Sequence, residues 1–327
     1  MQYCAKFIGI LMILVLTACA APKVTLFPDS RDALQEFTLE GSGMDKVLMI
    51  PVNGFITHRS EAGFLRQIPS TVQEIVAHLK KAEKDEHVKA VLLKIDSPGG
   101  SVTANDLIYY EILSFKQRTK KPVIAVMMNM AASGGYYIAL PADAIIAHPT
   151  TVTGSVGVIF IRPSVVGFSQ KIGINMEVNK SGINKDMGSP FREQNKAEKE
   201  IFQTVTDQLG QRFINLVAKH RKISPESKKE IATARIFLAD RALKLGMIDK
   251  IGYLSDALIQ TKKMAKIDPD AKVVVYRRSE FKNDNIYNIA TSHSASGPNL
   301  IQLNLPLNKA FSETGFYYLW LPALITP

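Results

Sequence analysis

Two cysteines, one tryptophan and no apolar run of membrane-spanning length set this 327-residue chain apart by what it does without. Cys4 and Cys19 both stand near the start, so the body of the chain can hold neither a cysteine-type zinc cluster nor a disulfide framework. The six histidines (His58, His78, His87, His148, His220 and His293) lack a glycine-rich or aspartate-paired setting, which argues against a Ser-His-Asp triad. Lys and Arg outnumber Asp and Glu by 40 to 30, a net charge of +10, but the basic residues are dispersed and form no nucleic-acid motif. Nucleic acid is therefore excluded as a partner, and no metal or other cofactor is expected.

What is present begins with an address. Lys6 precedes the apolar run Phe7–Ala18, whose 12 residues suit a signal-peptide core and fall short of the roughly 20 needed to cross a bilayer. The run ends in Leu16-Thr17-Ala18-Cys19, which looks like a bacterial lipobox. Residues 1–18 are thus expected to be removed and Cys19 to be lipidated, leaving 309 residues without a free thiol. More than one acyl chain would hold the protein stably at a membrane. The expected location is the cell envelope, with the folded part outside the cytoplasm on the periplasmic side.

Residues 19–44 read as a lipidated tether ending in Gly41-Ser42-Gly43, and residues 45–278 as one folded domain. Within it, Lys46–Val52 reads as a strand. Val72, Ile75, Val76 and Leu79 follow helical spacing, so Pro69–Glu86 is an amphipathic helix. Val88–Ile95 and Pro122–Met128 are short apolar strands, Asp96–Gly100 is a turn, and a helix runs to about Arg118. Ala144–Ala147 and Val156–Ile159 continue the strand pattern, a long helix covers Glu193–His220, and Ala271–Arg277 is a late strand. Alternation of strands and helices predicts an α/β domain with largely parallel pairing. Residues 279–327 read as a flexible polar segment and an apolar tail, Phe316–Ile325, too short to span a bilayer. That tail suits packing on the domain or a neighbouring subunit; its aromatic residues also suit a membrane interface.

The chemistry-bearing residues sit in glycine-rich strings. Ser133 lies in Ala131-Ala132-Ser133-Gly134-Gly135, after a strand and before the predicted helix Gly134–Leu140. Backbone N–H groups at such a junction favour developing negative charge. Lys185 lies in Ser181-Gly182-Ile183-Asn184-Lys185-Asp186. A serine hydroxyl needs a base, and a desolvated neutral lysine can serve. The loop Pro98-Gly99-Gly100 also ends a strand, so the N–H of Gly100 could join that of Gly134 in an oxyanion hole.

Three strings together, Ala131–Ala139, Thr153-Gly154-Ser155-Val156-Gly157-Val158 and Ser181–Asp186, resemble the bacterial signal peptide peptidase A (protease IV) family, over about Lys46–Leu258. The resemblance implies the Clp protease/crotonase-like fold, with repeated β-β-α units, and a serine–lysine endopeptidase that cuts residual signal peptides. It implies Ser133 as nucleophile, Lys185 as general base, Ser155 as the residue orienting the lysine amine, and Gly100 and Gly134 as oxyanion donors. It further implies a homo-oligomeric ring, expected as an octamer, in which one subunit's lysine completes its neighbour's site. A crotonase-type acyl-CoA enzyme would share the fold but need neither Ser133 nor Lys185.

Overall fold

In a computed structural model, residues 32–62, 67–288 and 314–324 are described. Strand β1 (Gln35–Glu40) leads into β2 (Lys46–Ile56), a small hairpin of β3 (Glu61–Ala62) and β4 (Gln67–Ile68), helix α1 (Thr71–Lys84) and β5 (Val88–Ser101). Helix α2 (Val102–Thr119), β6 (Val123–Ala132), α3 (Gly134–Ala139), β7 (Ala144–Ala147), β8 (Val152–Gly154) and β9 (Ile159–Ile161) follow. The chain continues through α4 (Val166–Lys171), α5 (Lys196–His220), α6 (Pro225–Ile231), β10 (Ile236–Leu238), α7 (Ala239–Lys244), β11 (Lys250–Ile251), α8 (Leu254–Ala265) and β12 (Lys272–Arg277). Strand β13 (Gly315–Leu319) and a 3-10 turn, Leu321–Leu324, come last.

The main sheet runs β1-β12-β2-β5-β6-β7-β11. All its neighbours pair parallel except β1, which runs antiparallel along β12. Near-continuous apolar strands are what a parallel sheet covered on both faces requires. Because side chains alternate across a strand, Leu48, Ile50, Leu93 and Met127 enter one core with Ile75 and Leu79 of α1, Ile108 and Ile112 of α2, and Phe213 of α5. Their neighbours Val47, Met49, Leu92 and Val126 enter the opposite core with Leu254 and Leu258 of α8. Local chemistry fixes the helix starts. Ser70 and Gln73 form a reciprocal capping box at α1, and Asn195 and Glu198 form one at α5.

Three expectations need correction. Part of the expected tether is structured: Gln35–Glu40 is β1, whose pairing with β12 covers that edge of the sheet. The Asp96–Gly100 turn is instead the last stretch of β5, because partners on both sides keep it extended. Phe55 and Ile56 of β2 pair with Gly99 and Gly100 on one side, and Leu319 and Tyr318 of β13 pair with them on the other. The strand expected at Val156–Ile159 is displaced: β8 ends before it and β9 begins at Ile159, because Ser155 turns the chain with φ of 51° and residues 156–158 form no ladder. The apolar tail lies against the domain through β13, which also pairs with β9.

The arrangement of β5 and β6 positions the site. The two strands pair side by side until Ser97 and Ala131, their last partners. Beyond that point β5 continues with β13, and β6 continues with β8. The sheet opens there, at the carboxyl ends of its parallel strands, where α/β folds bind ligands.

Candidate active site

Ser133 follows β6 directly and holds φ of 51° and ψ of −113°, a conformation costly for a residue with a Cβ. Its backbone is fixed at both ends. The Ser133 N–H donates to Gly154 O at 2.7 Å, and its carbonyl accepts from Tyr137 N–H at 2.9 Å. The side chain is 0% exposed, and Oγ has no hydrogen-bond partner. A buried hydroxyl without a partner costs about 1–3 kcal/mol. Strain and an unpaired group at one residue mark a functional position rather than a packing one.

Strand β8 is latched beside this serine. Thr153 Oγ1 donates to Ala131 O at 2.7 Å and Thr151 Oγ1 to Met127 O at 2.9 Å, both buried. Ser155 follows with its N–H on Arg235 O at 2.8 Å, and it is itself buried. The strings around Ser133 and Ser155 are thus brought together by backbone pairing.

The glycine loops meet at the opening of the sheet. Gly99 holds φ of 104°, and a Cβ there would overlap Tyr318 O and come within 2.7 Å of Gly134 N. The loop containing Gly100 therefore lies against Gly134. At Gly134 a Cβ would overlap the carboxamide of Asn105, 2.5 Å from Nδ2 and 2.6 Å from Cγ. Asn105 is fully buried on α2, donates from Nδ2 to Ser101 O at 2.8 Å, and leaves Oδ1 unpaired. Ser97 Oγ donates to Gly54 O at 2.6 Å and accepts from Gly99 N–H at 3.0 Å, bracing the loop. Asn105 and Ser97 are not singled out by the sequence; a polar residue at Asn105 among apolar helix positions is the one weak signal.

Lys185 is not brought to Ser133 within the chain. It lies exposed on a turn, its N–H on Gly182 O at 3.0 Å. The turn is clamped by its neighbour Asp186, which accepts from Arg192 Nε at 2.8 Å and from Lys180 Nζ at 2.7 Å. Arg192 also donates from Nη1 to Glu198 Oε2 at 3.0 Å. These hydrogen bonds, Arg192 foremost, hold the Asp186 carboxyl well below the usual carboxylate range. The lysine loop is thereby tied to the capping box of α5.

Among the described residues no histidine hydrogen-bonds the Ser133 hydroxyl. His220 bonds Tyr109 OH at 2.7 Å, and burial lowers its pKa; His78 lies on the buried face of α1 and is pushed down to about 4 by desolvation. Among the described residues no group of His, Cys, Asp and Glu could hold a metal ion. Cys19, the expected signal sequence at residues 1–18 and His293 lie outside the described residues.

A parallel sheet that parts between β5 and β6, with a buried, unpaired serine hydroxyl on one arm and the glycines of β5 on the other, has the parts that a serine hydrolase needs. Comparison with known proteins narrows the class. A model of peptidase family S49 matches residues 115–268, and one of the NfeD1b N-terminal domain matches residues 64–164. The chain is 36% identical over 259 residues to a provisionally named signal peptide peptidase SppA of Enterococcus faecium, covering 79% of this chain and 73% of the relative. It is 34% identical to Protease 4 of Haemophilus influenzae, over 65% of this chain and 34% of that protein. It is 32% identical to the chloroplastic serine protease SPPA of Arabidopsis thaliana, over 72% of this chain and 35% of that one. The chain belongs to peptidase family S49, serine endopeptidases of the Clp protease/crotonase-like fold.

Proposed function

We propose that this protein is a lipid-anchored, ATP-independent endopeptidase of the cell envelope that clears residual signal peptides and other apolar peptides with a Ser133–Lys185 dyad. The observation that carries the reading is the lone, buried Ser133 hydroxyl set between two glycine loops, with an ordered but exposed Lys185 elsewhere on the same chain. One chain holds half a dyad. The lysine loop is flanked by exposed apolar side chains, among them Phe168, Met176, Val178 and Ile183, the last 81% exposed. Such a patch fits burial against another copy. A ring in which each lysine enters the neighbouring site accounts for both facts.

In that assembly the Lys185 amine, desolvated and neutral, takes the Ser133 proton as Oγ attacks the peptide carbonyl. The carbonyl oxygen becomes an oxyanion facing the N–H groups of Gly100 and Gly134. Ser155 orients the amine by a hydrogen bond. The Lys185 ammonium returns the proton to the leaving amine, and the acyl–serine ester remains. Water, deprotonated by the same amine, hydrolyses the ester and restores the serine.

Cleavage of an apolar peptide by the purified protein tests the dyad. Ser133→Ala and Lys185→Ala should each lose at least about 10³-fold in kcat, while mixed rings of the two recover activity. Full activity in either variant rejects the dyad, and no recovery in verified mixed rings rejects the shared site. Mass spectrometry of the mature N-terminus should find an acylated Cys19; an intact Met1 rejects the anchor.

A further inference from the structure

Asn105 is set apart on α2 by what its burial costs. Its neighbours on the buried face of that helix, Ala104, Ile108, Ile112 and Phe115, are apolar. Asn105 is 0% exposed like them, yet its Oδ1 finds no partner among the described residues. An apolar side chain would fill the same place without stranding an acceptor, so packing alone does not explain an Asn here.

The carboxamide touches both arms of the site. Nδ2 donates to Ser101 O at 2.8 Å, and a carbonyl acceptor requires the nitrogen there, so Oδ1 faces elsewhere. Ser101 follows Gly100 directly and is the N-cap of α2, although its own side chain makes no capping bond. On the other arm, a Cβ built on Gly134 would lie 2.5 Å from Nδ2 and 2.6 Å from Cγ, with Oδ1 equally close. Three atoms at nearly one distance mean that the flat face of the carboxamide lies on the Gly134 Cα. The nitrogen of Gly134 borders Gly99, and a Cβ on Gly135 would come within 2.5 Å of Ser97 O. The start of α3 is therefore held between the end of β5 and Asn105. Ser97, by contrast, braces only its own arm, with its hydroxyl satisfied by Gly54 O and Gly99 N–H.

We propose that Asn105 is a positioning residue of the oxyanion hole, fixing the spacing between the N–H groups of Gly100 and Gly134. The proposal rests on Ser133 as nucleophile and on those two N–H groups as the donors. Such donors work only when both point at the oxygen as it gains charge, about 2.7–3.1 Å away. Asn105 is tied to the residue after one donor and packed on the Cα that carries the other. A shift of either arm therefore moves the second through a single short side chain.

Two variants of nearly equal size separate this role from simple filling. Asn105→Ala removes the tie and the bulk, whereas Asn105→Ser removes the bulk but can return a hydroxyl bond to the carbonyl four residues earlier, which is Ser101 O. With an apolar fluorogenic peptide, Asn105→Ala should lose about 10–10²-fold in kcat with KM within about twofold of wild type. Asn105→Ser should regain about threefold or more of that loss. A peptide boronate, whose adduct on Ser133 places an oxygen in the hole, should bind Asn105→Ala more weakly by the factor lost in kcat/KM. Wild-type kcat in folded Asn105→Ala, equal kcat in the two variants, or unchanged boronate affinity overturns the proposal. A rise in KM in place of the fall in kcat also overturns it. Should Asn105→Ala not fold, the boronate and kcat comparison of Asn105→Ser with wild type decides: neither value changed overturns the proposal. Cleavage by Ser133→Ala refutes the nucleophile instead and leaves a different mark, since it needs no Asn105 variant.

Discussion

Substituting Gly134 by Ala probes how tightly the two arms of the site are fitted. The added methyl would overlap the Asn105 carboxamide at its root, 2.6 Å from Cγ, so the whole group must turn. Turning breaks the Nδ2 bond to Ser101 O, and Asn105 is fully buried, so no water replaces it. The lost bond costs about 1–3 kcal/mol and the overpacking about 1–3 kcal/mol. Urea unfolding of Gly134→Ala should therefore register a loss of about 2–6 kcal/mol. Activity should fall by about 10²-fold if the Gly134 N–H moves by an ångström. Asn105→Ala alone loses the bond but relieves the clash, so the double variant should be about as stable as Asn105→Ala. The cycle then carries a coupling as large as the Gly134→Ala loss itself, about 2–6 kcal/mol. Effects that add within about 0.5 kcal/mol would refute the packing account of this glycine.

Other perturbations reach different parts of the molecule. Thr153→Val deletes a buried 2.7 Å bond to Ala131 O and should cost about 1–3 kcal/mol with a fall in kcat, read by melting and kinetics. Arg192→Ala should loosen the Lys185 turn and reduce kcat with little change in secondary structure by circular dichroism, since its partners Asp186 and Glu198 stand at the two ends of that clamp. His78, packed on Tyr276 and facing Glu74, Arg278 and Lys81, has its pKa lowered to about 4 by burial. The unfolded chain takes up this proton first, so full stability holds above about pH 6.5 and up to about 3 kcal/mol is lost as pH falls towards 4. A His78→Gln variant should flatten that part of the urea-stability profile. Ser70→Ala removes one half of the α1 capping box and should cost about 1 kcal/mol by the same assay.

Local signals carried much of the fold. Apolar strand runs, helical spacing at Val72–Leu79 and the glycine strings all report on neighbours along the chain, and these elements lie close to their expected bounds. The stretch from Asp96 to Gly100 misled because Pro and Gly are turn residues by local chemistry, yet β2 and β13 hold their backbone extended. The apolar tail was legible as a segment that packs on the domain, but its strand pairing was not: Tyr318 pairs with Gly100, more than two hundred residues earlier, and nothing in its composition names that partner. Ser133 stood out as a candidate by its glycine neighbours, whereas Asn105 looked like any polar residue on a helix. The exposure of Lys185 was hidden for the same reason, because burial belongs to the assembled surface and not to the loop's own letters.

The parting of β5 and β6 after Ser97 and Ala131 has a consequence for how the enzyme can vary. Both lips of this hollow are continuations of buried strands, each with a register irregularity just before its end, so their separation is inherited from the sheet and not from any connecting loop. Loops elsewhere can lengthen or shrink without disturbing it. Deleting one residue between Ser97 and Gly100, or between Ala131 and Ser133, would instead reverse the facing of everything downstream and swing the hydroxyl or the glycines to the wrong side.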